Sequence, residues 1–552
     1  MIRRTFLKTA ASGCAASLFP IRALASRYQS SAAYFGLHPF IDAHPEAVFV
    51  MKTNVDQKMN SEAKKAAGLT FGRSVFVPRD SGGIPINISI PVKANIKTGS
   101  PTAHPIEEII SHVTDPFFVE GVFEGMKELG IAGSQIHIRD VSTASRFAPM
   151  GYVDMAARVG ADLRLDLNIS VNNLREGRDF NWFEVPNGIH YKRIPYLEPL
   201  NTPNTWQMNM SKFKAHGMGL TLCCKNIQGS AALSYQQFCA DWGAAMSINQ
   251  SDRYSDAYTV IKKNFERHLA GGVPRWDKPA GNTFNGGLGM ETWVTRTLDN
   301  HSVSNYGLHI IEGIYGRDGQ GNEDYGPNPV DQNHVFDSVG VSTTGKAWDW
   351  MSNVIIFGKD PFRVDIIGHW IGGHEPGNFG LFHCAIDRGL SNALNPNRIP
   401  VYLWDGDTGT ATLTPLENIP RTPLLTYYLC RNYNGQTEKI YHLCNEPFDY
   451  SKFSTGVNES AEVKPDAFVL HQNRPNPFNP YTSIEYVMPR AGNVRIEVYN
   501  ANGQLVDVLV DGFRSKGSHM AVWNAHGSAS GTYLYRFRSG DFTRTGKMVL
   551  LK

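Results

Sequence analysis

The chain changes texture once, and that change limits its architecture more than any other feature. Up to about residue 455, strand-like and helix-like stretches alternate at short spacing. From about Asp466 onward only short β-runs remain, parted by Asn-Gly, Asp-Gly and Ser-Gly turns. Alternation with short connections predicts a mainly parallel, doubly wound α/β sheet, whereas short strands at turn spacing predict a small all-β Ig-like sandwich. A chain of 552 residues also exceeds what one core ordinarily holds. The reading is therefore an export signal over 1–25, a central α/β domain over 26–455, a polar linker over 456–470 and a β-sandwich over 471–552.

Within the central region, Ser74 to Val77 and Ile86 to Ile96 are strand-like. Thr114-Asp115-Pro116 offers a helix cap with an N1 proline, followed by Phe118, Val122, Met126 and Leu129 at helical spacing. Gln135 to Val141 reads as strand, Gly151 to Val159 as helix and Leu163 to Ile169 as strand. The theme returns at Val354 to Phe357, after which Asp360-Pro361 opens a helix with Val364, Ile367 and Ile371 inward.

Composition removes several function classes. Lys and Arg number 53 against 51 for Asp and Glu, a net charge of +2, so no basic excess points to nucleic acid. No uninterrupted apolar run reaches the ~18 residues of a membrane-spanning helix. At the start, Arg3, Arg4 and Lys8 precede a weakly apolar stretch and Ala23-Leu24-Ala25, the pattern of a cleaved export signal. Arg3 to Lys8 resembles a twin-arginine signal, with Ile2 where Ser or Thr is more usual. Removal of that signal leaves six cysteines, none in a C-x-x-C pair, so no iron–sulfur or thioredoxin spacing exists in the chain. Cys430 and Cys444 flank an Asn434-Gly435 turn, and the pairing stays open.

Polar side chains gather in three stretches. Lys93, Asn95 and Lys97 share one strand face, because residues two apart point the same way. Lys212, Lys214 and His216 do the same opposite Phe213 and Ala215, with Lys225-Asn226 close behind. Lys359-Asp360-Pro361, with Asp365 a turn later, marks a strand-to-helix junction. Rows of lysine are costly in mid-sheet but tolerable at the carboxyl ends of strands, where open α/β sheets bind ligands. There they would form a pocket for a phosphate or carboxylate, with His216 and Lys214 as catalytic candidates and Lys93, Asn95, Lys212, Lys225, Asn226 and Lys359 as ligand-binding ones. Solvated edge-strand faces give the same pattern.

Two resemblances follow from these residues. Val92-Lys93-Ala94-Asn95, Thr114-Asp115-Pro116, Lys212-x-Lys214-x-His216 through Lys225-Asn226, and Gly358-Lys359-Asp360-Pro361-x-x-x-Asp365 resemble the domain-of-unknown-function 362 family. That resemblance brings no activity with it; relatives with fused ferredoxin-type modules imply a redox connection, which this chain lacks the cysteines to carry in cis. Gln472 to Pro480, Val498-Tyr499-Asn500, Gly531-Thr532-Tyr533 and Lys547 to Lys552 resemble the C-terminal sorting domain of the type IX secretion system. It implies passage through the outer-membrane secretion machinery to the cell surface or beyond, with a periplasmic location as the alternative.

Metal chemistry has two candidate positions. Asp360 and Asp365 could bind a divalent ion, although Asp360 is equally a helix cap. His374, Glu375 and His383 could form a loop-borne site, but their spacing is not the zinc-protease pattern. Gly281 to Gly289 lacks the dinucleotide-binding spacing, and no G-x-S-x-G elbow exists. The expectation is an exported protein whose α/β domain binds, and acts on, an anionic small molecule. Two rivals stay open: a non-catalytic surface protein binding a glycan or protein partner, for which ten tryptophans and the aromatic stretch from Asn172 to Trp206 are suitable, and a redox accessory protein.

Overall fold

The computed structural model describes residues 33–452, apart from 81, 97–109, 142–147, 217–218, 237–241, 274–286, 318–348, 423 and 425–446. It also describes 468–551, apart from 471, 474–475, 479–480, 491, 515–516, 526 and 541. The stretch read as an export signal, most of the expected linker, and Cys239, Cys430 and Cys444 lie outside the described residues. The chain divides into two units, the first ending at Phe453 and the second starting at Ser454.

A ten-stranded mixed sheet organises the first unit. Its strands are β1 (Val48–Lys52), β2 (Ile90–Ala94), β3 (Ile136–Ile138), β4 (Asp162–Leu163), β5 (Gln207–His216), β6 (Gly219–Thr221), β7 (Tyr306–Arg317), β8 (Asp349–Gly358), β9 (Val401–Asp405) and β10 (Thr410–Leu413). Their spatial order is β10-β9-β1-β8-β7-β5-β2-β3-β4, with β6 folding back on the end of β5. Pairing is parallel from β7 through β5, β2 and β3 to β4, and between β9 and β1. Strand β8 runs antiparallel to both β7 and β1.

Strand β1 shows why the sheet is covered on both sides. Val48 and Val50 join one buried cluster while Phe49 and Met51 join the other, so neither face can meet water. Helices α1 (Ser61–Val75), α2 (Pro116–Lys127) and α3 (Tyr152–Val159) cover the Phe49 face. The Val48 face is covered by α4 (Cys223–Asn226), α5 (Ala257–Ala270), α6 (Gly287–His301), α7 (Pro361–Ile371) and α8 (Gly380–Asp387). The doubly wound α/β expectation describes this arrangement. Among the described residues no helix is long and apolar enough to cross a membrane.

Helices α1 and α2 touch through glycine. Each carries a pair four residues apart, Gly68 and Gly72 facing Gly121 and Gly125. A Cβ on Gly68 would lie 2.0 Å from the Phe118 carbonyl oxygen, and one on Gly121 would lie 2.0 Å from that of Lys65. Only residues without side chains allow that approach. It brings Lys64 of α1 to Asp115, the N-cap of α2, whose Oδ1 accepts from Phe117 N at 2.9 Å and Phe118 N at 3.3 Å. Substituting Gly121→Ala should therefore force the helices apart and cost about 1–3 kcal/mol or more, read as a lowered unfolding midpoint of the first unit.

The second unit is all β. Strands β11 (Val469–Leu470), β12 (Tyr481–Met488) and β15 (Gly517–Asn524) form one antiparallel sheet. The other contains β14 (Leu505–Arg514), β13 (Gly492–Asn500), β16 (Gly531–Ser539) and β17 (Phe542–Leu550), in that order. Ile484, Tyr486 and Met488 from one sheet and Val494, Ile496 and Val498 from the other fill a single core around Trp523 and Phe537. This is the expected Ig-like sandwich. On the opposite side of β13, Glu497 accepts from Arg538 Nη2 at 2.6 Å, Arg495 Nε at 2.9 Å and Arg536 Nη2 at 2.9 Å. Burial pushes its carboxyl upward, but the arginine hydrogen bonds outweigh that and hold it at about 2.

A carboxyl whose pKa is depressed on folding adds stability above its unfolded value, near 4.3, and loses it as pH falls toward the folded value. Hydrogen exchange of the intact chain should show the second unit loosening between about pH 4.5 and pH 2. In Glu497→Gln that acid dependence should flatten.

Candidate functional site

Two buried polar networks meet the carboxyl ends of β2, β5 and β7, one on each face of the sheet. On the Phe49 face, β5 presents Met208 and Met210 and then, on the same side, Lys212 and Lys214. Lys212 is level with Glu312 of β7, and its Nζ lies 2.7 Å from Glu312 Oε2 and 3.5 Å from the centre of the Tyr315 ring. Neither side chain of the ion pair is exposed at all. Burial drives both groups toward their neutral forms, lowering Lys212 and raising Glu312, while each partner opposes the shift in the other.

Backbone irregularities shape this network. The ladder between β7 and β8 shifts register between Gly313 and Tyr315, and that between β5 and β7 shifts between Lys212 and Lys214. The first shift lets Tyr315 join the Glu312 side, where its hydroxyl donates to Asp115 Oδ2 at 2.7 Å. Lys64 Nζ reaches the same oxygen at 2.6 Å, and the Asp115 amide donates to Glu312 Oε2 at 3.0 Å. Lys214 Nζ donates to the His112 carbonyl. Further along, Asp349 binds Lys58 at 2.7 Å, Ser111 Oγ at 2.6 Å and Arg317 at 3.3 Å.

The second network lies on the Val48 face. Lys93 Nζ donates to Asp140 Oδ2 at 2.8 Å, the Ala94 carbonyl at 2.6 Å and Asn226 Oδ1 at 3.0 Å. Burial lowers the Lys93 pKa against the pull of Asp140. Asn226 Nδ2 donates to Asn209 Oδ1 at 2.7 Å, and Asn209 Nδ2 to the Cys223 carbonyl at 2.9 Å. That chain sets the amide orientations, so Asn95 turns its Nδ2 to Asn226 Oδ1 at 3.2 Å. Asn95 Oδ1 is then a buried acceptor that takes no hydrogen bond among the described residues.

The structure thus brings Lys93, Asn95 and Asn226 together, and Lys212 with Lys214, but on opposite faces rather than in one row. Lys225 is half-buried on α4, and the His216 side chain lies outside the described residues, as does Lys97. Lys359 and Asp360 do not join them. Because β8 is antiparallel, Gly358 is level with His309 and Asp349 with Arg317, so the chain leaves β8 at the opposite edge. Lys214 is level with Arg317 and Asn209 with His309, five residues or about 16 Å apart. Lys359 instead binds Asp42 at 2.9 Å, and Asp360 caps α7 through Phe362 N at 2.8 Å and Arg363 N at 3.1 Å.

Among the described residues neither expected metal position brings three ligand atoms together. Both oxygens of Asp365 are taken by the Cys223 and Cys224 amides, at 2.8 and 2.7 Å, so this carboxylate caps α4 from outside. Glu375 accepts from the Tyr450 hydroxyl and His383 Nε2 lies 2.8 Å from the Gly377 carbonyl oxygen, while His374 is buried beside them in sequence without converging on a common point. Among the described residues one group alone places three ligand atoms within 4.8 Å of one another: His268, Glu291 and Cys384.

Asp115 as an ionic partner, Asp140, Glu312, Tyr315 and Lys64 escaped the sequence reading. Glu312 did leave a trace, as a lone carboxylate inside the apolar run Leu308 to Tyr315.

Residues 90–369 match the family described as a domain of unknown function, DUF362. Residues 474–551 match the secretion system C-terminal sorting domain. No curated protein matches the chain. The matched stretch runs from β2 into α7 and contains both networks apart from Lys58 and Lys64, while the sorting-domain match falls within the β-sandwich. The chain therefore belongs to the domain-of-unknown-function 362 family and carries a type IX sorting domain that directs it to the cell surface or the extracellular space.

Proposed function

We propose that the first unit binds a small anionic molecule at the carboxyl edge of β2 and β5. The observation that carries this reading is the Asn95 acceptor, open among the described residues, beside the Lys93 ammonium, both buried at the end of a parallel strand. A buried carbonyl oxygen left without a donor costs about 1–3 kcal/mol, and a ligand hydroxyl or amine would satisfy it while its anionic group meets the lysine. Open α/β sheets place their ligands at this edge. Lys93, Asn95, Lys225 and Asn226 are the binding residues in this reading, with Lys212 and Lys214 on the other side of the same strand ends.

The Lys212–Glu312 pair, without exposed surface on the opposite face of the sheet, lies outside this binding site. Lys359, Asp360 and Asp365 have no part in it.

Thermal-shift screening of the intact protein with phosphorylated and carboxylated metabolites tests the binding. A stabilising ligand should lose its effect in Asn95→Ala and keep it in Lys359→Met, and a response unchanged by Asn95→Ala would overturn the reading. The ion pair has its own test in denaturant unfolding. Lys212→Met and Glu312→Gln should each cost about 3–5 kcal/mol by stranding the other charge, and the double variant less than their sum.

A further inference from the structure

Helices α5, α6 and α8 enclose a cavity of about 260 Å³ on the Val48 face, away from β2 and β5. His268 comes from the last turn of α5, Glu291 from the second turn of α6 and Cys384 from the middle of α8. All three are buried and all three line the cavity. His268 Nδ1 lies 2.7 Å from Glu291 Oε2 and 3.6 Å from Cys384 Sγ.

We propose that His268, Glu291 and Cys384 bind a divalent metal ion of the zinc class, with the fourth coordination position open to the cavity. Nitrogen, oxygen and sulfur from three side chains are the donor set such an ion takes, and three protein ligands leave one place for water or a small molecule. The spacing fits. With Zn–N and Zn–S distances of about 2.0 and 2.3 Å at tetrahedral angles, the nitrogen and sulfur should lie about 3.6 Å apart. Glu291 must move back by roughly 0.7 Å, since the same geometry puts nitrogen and oxygen about 3.4 Å apart.

The surroundings argue against a thiol–imidazole nucleophile. In such a dyad the thiol and the orienting acid engage opposite ring nitrogens, whereas here Cys384 and Glu291 crowd the same one. Burial, then the Glu291 and Asp387 carboxylates, also push the thiol well up from its ordinary value. A cation placed between the three atoms removes that conflict, because the thiolate and carboxylate then face positive charge.

The other ring nitrogen is served for both states. Arg267 Nη2 lies 3.2 Å from His268 Nε2 and Asp387 Oδ2 lies 3.5 Å from it. Without metal, Nδ1 carries the proton toward Glu291 and Nε2 accepts from Arg267. With metal, Nδ1 binds the ion and Nε2 carries the proton toward Asp387, the outer carboxylate that zinc-bound histidines typically have. The thiol proton leaves for solvent, so one proton is released for each ion bound.

The test uses the full chain, stripped with a chelator and titrated with zinc chloride alone, then with Co²⁺ as a spectroscopic probe. One zinc ion should bind, with proton release, and the cobalt form should show a thiolate-to-metal charge-transfer band. Cys384→Ala, which leaves every other cysteine in place, should abolish that ion and the band, and Asp387→Asn should weaken binding about ten- to a hundredfold. Zinc binding unchanged in Cys384→Ala, no zinc binding by the wild type, or a cobalt complex without the thiolate band would each overturn the proposal. If Cys384→Ala does not fold, the wild-type titration and cobalt spectrum decide alone.

Discussion

An ammonium group and a carboxylate without solvent contact, Lys212 and Glu312, set the terms for the first unit. Removing two ions from water costs several kcal/mol each, and their mutual attraction offsets this only when the remaining hydrogen-bonding capacity is also met. Here it is met from three directions. Ile314 N donates to Glu312 Oε1 at 3.0 Å, the Asp115 amide to Oε2, and the Tyr315 ring face lies against the ammonium. Asp115 can sit there because α1 and α2 approach through paired glycines, which delivers Lys64 to balance its charge. A helix contact on one side of the sheet is thus a condition for the ion pair within it.

Much of this framework is legible in residue order. Asp115-Pro116 announces α2 and the structure starts the helix there; Gly160 closes α3 with a positive φ of 79°. The strands of the β-sandwich fall where alternation and turn residues put them, because each side of such a strand has one fate, core or solvent. Helix α1 was harder to see. Its first five residues include Lys64 and Lys65, and two glycines follow, so its apolar stripe is narrow, and the packing that makes it a helix lies on α2.

The site was legible as residue types and not as an arrangement. Period-two spacing correctly grouped Lys93 with Asn95 and Lys212 with Lys214, yet it cannot say which face of a two-sided sheet each pair takes. Neither can it give strand direction. β8 ends in the same Lys-Asp-Pro junction whether it runs parallel or antiparallel, and only its pairing with β7 moves Lys359 to the opposite edge. The carboxylates that complete the networks come from Asp115, Asp140 and Glu312, with long stretches of chain between them and their lysines. The His268, Glu291 and Cys384 group has the same character, with ligands from three helices and no local spacing to betray it.

The two units meet the medium outside the cell on different terms. In the first, the side chains of the Lys64–Asp115 and Lys212–Glu312 pairs have no exposed surface, so salt in the medium reaches them weakly. In the second, Glu497 is covered, but Arg495, Arg536 and Arg538 are 41%, 35% and 44% exposed. Their hydrogen bonds to one carboxylate compete with water and dissolved ions. Changes of salt or acidity therefore act more on the Glu497 cluster than on the lysine networks, which respond only when the sheet itself opens. Replacing buried ion pairs by apolar side chains often stabilises a fold. A chain that nevertheless keeps them at the carboxyl ends of its central strands has placed its costliest groups where α/β sheets meet their ligands.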